Sequence, residues 1–255
     1  MILAVDIGNT NIVVGCCDKN KILFVERLST KLVDTELEYA VSFKNVFELH
    51  NIDTKKIDGG IISSVVPSIT NVIKRAVKKT AGIEVMVVGS GIKTGLNILT
   101  DNPAQLGSDL VADAVGGINE YKLPLVIIDM GTATTISVIN EKGVYTGTVI
   151  MPGMGVSLDS LVGRTSQLPK ISLDPPKKVV GTNTIDAMKS GILYATAASL
   201  DGMIERIEEE IQKKATVVAT GGLAGAVIPL CKREIILDDE LLLKGLMIIY
   251  NKNIS

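Results

Sequence analysis

Val5-Asp6-Ile7-Gly8-Asn9-Thr10 returns, altered but recognisable, as Ile128-Asp129-Met130-Gly131-Thr132. In both places an apolar run ends in Asp-x-Gly and a hydroxyl residue follows. Outward from the first copy, residues 2–8, 11–18 and 21–29 are β-branched runs separated by Gly8-Asn9-Thr10 and Lys19-Asn20, the pattern of an antiparallel meander. Around the second copy, residues 125–129, 134–140 and 144–151 repeat it, with turns at Gly131-Thr132 and Gly143. Two meanders carrying one signature at the same place read as an internal duplication.

The segments between them alternate in type. Asp34-Thr35-Glu36 opens an amphipathic stretch to about His50, residues 60–66 read as a buried strand, Pro67 opens a helix to about Lys79, and 84–88 gives another strand. Residues 103–121 read as one helix. Residues 183–214 read as a long helix that Gly191 or Gly202 would break, 216–219 as a strand, and Asp239 as the acidic start of a last helix. This is α/β patterning. The expected architecture is two related domains, 1–122 and 123–255, each a mixed sheet flanked by helices, with a cleft between them and the last helix crossing back to the first.

Composition narrows the function. With 26 basic and 28 acidic residues, the formal charge of −2 supplies no positive field for a nucleic acid. Tryptophan is absent and aromatics make up 3%, which leaves little for stacking bases. The basic run at 74–79 falls in a helical pattern and reads as a solvated face. No apolar run reaches the ~20 residues of a membrane helix, so no membrane partner is expected. Met1-Ile2-Leu3-Ala4-Val5 lacks a basic start and a cleavage site, so it reads as a strand and not as a signal peptide. Cys16, Cys17 and Cys231 have no framework spacing, and the cytoplasm is the expected location. His50 is the only histidine, which excludes a metal site built on several imidazoles.

What chemistry remains is carried by turns. A strand ending in Asp-x-Gly presents backbone N–H groups and the Asn9 and Thr10 side chains around one point, an anion cradle, and the Asp6 carboxylate is placed to hold hydrated Mg²⁺ against a phosphate. Alone, the first hairpin reads equally as an ordinary turn. The second, Asp129-Met130-Gly131-Thr132-Ala133-Thr134-Thr135, adds a carboxylate and three hydroxyls, so that facing hairpins would clamp the β- and γ-phosphates of a nucleotide. Ala219-Thr220-Gly221-Gly222-Leu223, a strand leading to a diglycine and a helix start, suits the nucleoside end.

These three elements, in this order, resemble the superfamily of sugar kinases, acetate kinase, actin and Hsp70, which implies two duplicated ribonuclease H-like (actin-like ATPase) domains and ATP binding. A narrower resemblance rests on Asn102-Pro103-Ala104-Gln105-Leu106-Gly107-Ser108-Asp109-Leu110, which is similar to the Asn-Pro-x-x-x-Gly-x-Asp-Arg signature of type III pantothenate kinases. The opening Asp-x-Gly-Asn-Thr, Asp129 to Thr135, Pro152-Gly153 with Arg164-Thr165-Ser166-Gln167-Leu168-Pro169, Gly181-Thr182-Asn183-Thr184 and Thr220-Gly221-Gly222-Leu223-Ala224 extend the likeness over essentially the whole chain.

The resemblance implies ATP-dependent phosphorylation of pantothenate, the first step of coenzyme A synthesis. It gives Asp109 the role of catalytic base, which suits a carboxylate asked to take the proton of an attacking hydroxyl. It places ATP and its phosphates on Asp6, Ile7, Gly8, Asn9, Thr10, Asn11, Ile12, Val13, Thr132, Gly221 and Gly222, with Mg²⁺ held through water by Asp6. A monovalent cation, K⁺ or NH₄⁺, falls to Asp129. Pantothenate contacts fall to Thr100, Gly107, Ser108, Asp109, Leu110 and Thr184, the last supplied across a homodimer interface that the helix at 183–214 would form. Leu110 and Thr100 depart from the family's usual Arg and Tyr. Losing a guanidinium beside an anionic substrate removes a charge-assisted bond of roughly 1.5–3 kcal/mol. These departures leave one alternative, a kinase of the same superfamily for another small hydroxy acid. The resemblance leaves a second, a non-catalytic nucleotide-binding regulator, since the family has also carried the name of a transcription-accessory factor.

Overall fold

The computed structural model describes residues 1–19 and 21–254. Asn20, half of the expected Lys19-Asn20 turn, lies outside the described residues. Along the chain come β1 (Ile2–Ile7), β2 (Asn11–Asp18), β3 (Lys21–Ser29), α1 (Glu36–Leu49), β4 (Gly59–Ser64), α2 (Pro67–Ala81) and β5 (Val85–Val87). A short β6 (Asn97–Ile98) and α3 (Ser108–Glu120) lead to β7 (Leu125–Met130), β8 (Ala133–Ile139) and β9 (Val144–Pro152). Then follow α4 (Met154–Gly163), α5 (Thr184–Ile211), β10 (Thr216–Thr220), α6 (Ala224–Val227), β11 (Ile236–Leu237) and α7 (Leu241–Ile254).

Among the described residues the strands form a sheet ordered β3-β2-β1-β4-β5 and a sheet ordered β11-β10-β7-β8-β9-β6. Read from its β9 side, the second repeats the first, as β9-β8-β7-β10-β11, with β6 added outside β9. In both, a meander is antiparallel and the first strand then pairs in parallel with the next one along, β1 with β4 and β7 with β10. The duplicated signature therefore sits at one topological position, the C-terminal end of the first strand.

By their contacts the residues group into two compact units, one of Met1–Leu96, Asn102–Asn119 and Glu240–Ser255, the other of Asn97–Asp101 and Glu120–Asp239. In the first, Leu3, Val5 and Ile7 alternate onto one face and meet Tyr39, Phe43 and Phe47 of α1 and Ile69, Ile73 and Val77 of α2. The opposite face carries Ala4 and Asp6 and is covered by α7. Leu243 fills the space a side chain on Gly15 would need, and Tyr250 does the same over Gly59. In the second unit, Val126, Ile128 and Met130 pack on Leu193, Ala197, Leu200 and Ile204 of α5.

Local chemistry fixes the ends of the helices. Glu38 reaches back to accept the Thr35 N–H at 2.6 Å, one half of a capping box that starts α1. Within the basic run, Arg75 and Lys79 pair with Glu36 at 2.9 and 3.0 Å, tying α2 to α1. The expected helix at 103–121 is corrected. Pro103–Gln105 makes a single 3₁₀ turn, Leu106 is extended, and α3 begins at Ser108, where the chain is captured by β4. The long helix does not break: Asn183 accepts the Asp186 N–H at 2.9 Å, and α5 runs to Ile211, where Gln212 turns out at φ 54°. Buried Leu193, Ala197, Leu200 and Ile204, at helical spacing, hold it together despite Gly191 and Gly202. The helix expected after the diglycine is one turn long, and no sequence signal announced α4. No helix of the described residues is long and apolar enough to cross a membrane.

Candidate active site

The first unit gathers one set of groups at the end of β1. Asp6 is 9% exposed and lies in register with Val13 on β2 and Ser63 on β4. Ile7 pairs with Ile12, and the chain turns through Gly8-Asn9-Thr10-Asn11, closed by the Gly8 N–H to Asn11 O bond at 3.0 Å. A side chain on Gly8 would put its Cβ 3.0 Å from that same oxygen. Thr30, at the end of β3, fastens the turn from outside: its Oγ1 donates to Gly8 O at 2.7 Å and its N–H to Thr10 O at 2.9 Å. Asn9, Thr10 and Asn11 are exposed, whereas Ile7 and Ile12 are wholly in the core. Those two isoleucines can offer a ligand only their main chain, and Val13 is half-buried.

Asp109 stands in the first turn of α3. Its Oδ1 accepts the N–H of Leu110 at 2.8 Å, yet burial outweighs this and the other main-chain bond and raises the carboxyl above its ordinary range. Gly107 precedes it, and a side chain there would run into the Asp109 carboxylate. Ser108 ties the turn to β4 by its Oγ, 2.9 Å from Ser64 N and 3.0 Å from Ser63 Oγ. Since Ser63 is the register neighbour of Asp6, Asp109 belongs to the same sheet edge as the Gly8 turn. Leu110 points into the core at 8% exposure.

In the second unit, Asp129 occupies the place Asp6 has in the first. It pairs with Thr135 and Thr220, and Met130 pairs with Thr134, so this hairpin turns through three residues where the first uses four. Gly221 has φ +97°, and a Cβ there would lie 2.6 Å from both Asp129 Oδ1 and Met130 N. Gly221 is thus pressed against the end of β7, and only glycine allows it there. Gly153 donates to Thr132 O at 3.1 Å, so the start of α4 braces the exposed Thr132. Thr184 is the exposed first residue of α5, and Thr100 follows β6, both in this unit.

The first edge thus brings together Asp6, Gly8 to Asn11, Gly107, Ser108 and Asp109; the second, Asp129, Thr132, Gly221 and Gly222. Thr100 and Leu110, expected as substrate contacts, belong to different units. Ser63, Ser64 and Thr30 were not found from sequence, and Gly153 was noted only as part of the family likeness; the one available signal was a serine pair closing the apolar run Gly60-Ile61-Ile62. The donors at both edges are carboxylate, hydroxyl and main-chain groups, which suit hard cations such as Mg²⁺ or K⁺. Among the described residues no three His, Cys, Asp or Glu side chains gather as a metal cluster. His50 does other work, stacked on Phe24 at 4.4 Å and paired with Glu26 at 2.8 Å.

Two sheets of one duplicated order, each closing its first strand with an Asp-x-Gly turn, define an actin-like ATPase fold. Solved structures agree on the fold. The activator of the 2-hydroxyisocaproyl-CoA dehydratase from Clostridium difficile, solved with bound ADPNP, superposes with a TM-score of 0.56 at 16% identity, covering 98% of this chain and 93% of that one. A conserved Baf-family protein from Campylobacter jejuni, named as a transcriptional activator, gives 0.58 at 19% identity over 98% of each chain. Sequence goes further than fold. The model of the type III pantothenate kinase family matches residues 2–206. The type III pantothenate kinase of Halalkalibacterium halodurans is 42% identical over 254 residues, all of both chains. This chain belongs to the type III pantothenate kinase family.

Proposed function

We propose that this protein transfers the γ-phosphoryl group of ATP to the primary hydroxyl of pantothenate, giving 4'-phosphopantothenate for coenzyme A synthesis in the cytoplasm. The observation that carries the reading is the Asp109 carboxyl at the strand edge that bears the Gly8 turn, in a chain related to this kinase family over its full length. In this reading Asp109 takes the proton of the attacking hydroxyl. Main-chain N–H groups of residues 8 to 13 and the Asn9 and Thr10 side chains hold the phosphates. Thr132, Gly221 and Gly222 hold the rest of the nucleotide.

Asp6 would hold Mg²⁺ through water and Asp129 a K⁺ or NH₄⁺ ion, and these cations would neutralise charge on the phosphates. Positioning and charge, more than covalent chemistry, are what this transfer needs. Thr100, Gly107 and Thr184 would contact pantothenate, with Thr184 reaching it across a homodimer interface, while Leu110, its side chain packed in the core, could offer only its main chain. Exposed apolar side chains on the second unit, among them Ile150 at 69% exposure, Val156 and Ile185, support such an interface. The division into domains 1–122 and 123–255 belongs to the same proposal.

One feature favours a second reading. Leu110 is packed where the family signature has a cation, and Thr100 replaces a tyrosine, so another small hydroxy acid is the alternative acceptor. Purified protein with ATP, Mg²⁺ and K⁺ is to be assayed for ADP release against a panel of hydroxy acids. Release specific to pantothenate and dependent on K⁺ is expected; preference for a different acid would transfer the assignment to that acid, and no release with any acceptor would end both readings.

A further inference from the structure

The end of β4 shows how Asp109 is held in place. Ile62 O accepts the Val88 N–H at 2.8 Å on the β5 side, and Val65 N–H donates to Ile7 O at 3.1 Å on the β1 side. By strand alternation Ser64 next points its N–H and C=O toward the β5 side, but β5 ends at Val87. Both groups are met there by one hydroxyl: Ser108 Oγ accepts the Ser64 N–H at 2.9 Å and donates to Ser64 O at 3.1 Å. With its only proton on that carbonyl, Ser108 is an acceptor toward Ser63 Oγ at 3.0 Å, and Ser63 is 0% exposed. The Ser64 hydroxyl is itself bound to Thr70 of α2 at 2.7 Å. A single side chain therefore continues the sheet by one residue and fastens α3 to it.

We infer that Ser108 is a positioning residue, assisted by Ser63, and that its side chain is not a substrate contact. Its hydroxyl seats the first turn of α3 on β4 and so sets the distance between the Asp109 carboxyl and the Asp6–Gly8 edge. The inference rests on the reading of Asp109 as the base. A group that acts by placing the base changes the chemical step and leaves ground-state binding alone. A displacement of about 1 Å at a reacting group costs up to ~100-fold in rate.

The experiment uses the full-length protein with Ser108→Ala, Ser108→Thr and Ser63→Ala. Ser108→Ala is expected to lower kcat by about 10- to 100-fold while KM for ATP and pantothenate stay within about twofold. Ser108→Thr, which keeps the oxygen, restores most of kcat, and Ser63→Ala gives a smaller loss of the same kind. Hydrogen exchange at the Ser64 amide, read without any substrate, becomes about tenfold faster in the alanine variant and returns in the threonine variant. A raised pantothenate KM at constant kcat would make Ser108 a substrate contact after all, and an unchanged Ser64 amide or an unchanged kcat in Ser108→Ala would equally overturn the inference. If the wild-type protein phosphorylates nothing, the kinase reading fails, and the exchange result alone judges whether the hydroxyl seats the helix.

Discussion

Asp109 is an acid held in a place that suits its neutral form, and two consequences follow with opposite signs. Burial raises its folded-state pKa above the unfolded value of about 3.9. Below the unfolded value the folded state suffers no penalty from this group. As pH rises through the folded value, stability is lost, because the unfolded chain ionises more readily. Asp109→Asn should therefore lose ~100- to 10,000-fold in kcat, as general-base loss does, yet unfold at a temperature no lower than the parent at neutral pH. A matching fall in melting temperature would mean that the carboxylate is structural. If Asp109 is the base, as proposed, it must be ionised to act, and the acid limb of the kcat/KM profile should lie above the usual carboxylate range. Gly221→Ala tests the other edge. A methyl at φ +97°, 2.6 Å from Asp129 Oδ1, costs about 1–3 kcal/mol of local strain, and KM for ATP should rise about tenfold or more. At this scale the residues legible in sequence were those whose chemistry travels in a short motif: Asp6, Gly8, Asp109, Asp129 and Gly221. Ser63, Ser64 and Thr30 were not, because a buried hydroxyl declares itself only through partners far away in the chain, as Ser108 does 44 residues on from Ser64.

Elements were legible in proportion to their periodicity. The two meanders, α1, α2 and α5 could be read from repeating apolar positions, while β6 and β11, two residues each, have no period to read. The start of α3 was misplaced because Pro103 is a good first helical residue, and nothing local says that Ser108 will be captured by β4. The other end of α5 hides a comparable bond. Glu208, 5% exposed, accepts Lys214 Nζ at 2.6 Å, the Ala215 N–H at 3.0 Å and Arg233 Nη2 at 2.5 Å. Burial pushes its carboxyl up, but these partners together win and hold it below the ordinary range. Its contribution is therefore present above the unfolded value of about 4.3 and lost as pH falls through the lowered folded one. Glu208→Ala leaves the Ala215 N–H unmatched and should cost about 1–3 kcal/mol by urea unfolding at pH 7, with little effect on KM. An unfolding midpoint like that of the parent would show that water replaces the carboxylate.

Across the molecule, the duplication was readable because both copies keep the meander and its closing turn, which are local; the sheet order beyond them depends on pairings such as β7 with β10 that span most of a unit. The proposed homodimer belongs to this scale too. Ile150 on β9 and Ile185 on α5 are large, apolar and exposed. Replacing both with glutamate should shift the protein to monomer in sedimentation velocity and, with Thr184 working across the interface, abolish pantothenate turnover while nucleotide still binds. A double variant that sediments like the parent would exclude this face as the dimer contact.

Unit one is built from three stretches of chain, and its final piece is α7, which lies over Gly15 and Gly59 and crosses α3 where a side chain on Gly116 would come 2.6 Å from Leu241 O. During synthesis, the Gly8 hairpin and the helix that carries Asp109 emerge from the ribosome long before residues 241–254 exist to cover them. Until that last helix is translated, one side of the nascent sheet stays bare, and a prematurely stopped product would expose the apolar surface that makes partly folded chains prone to aggregate.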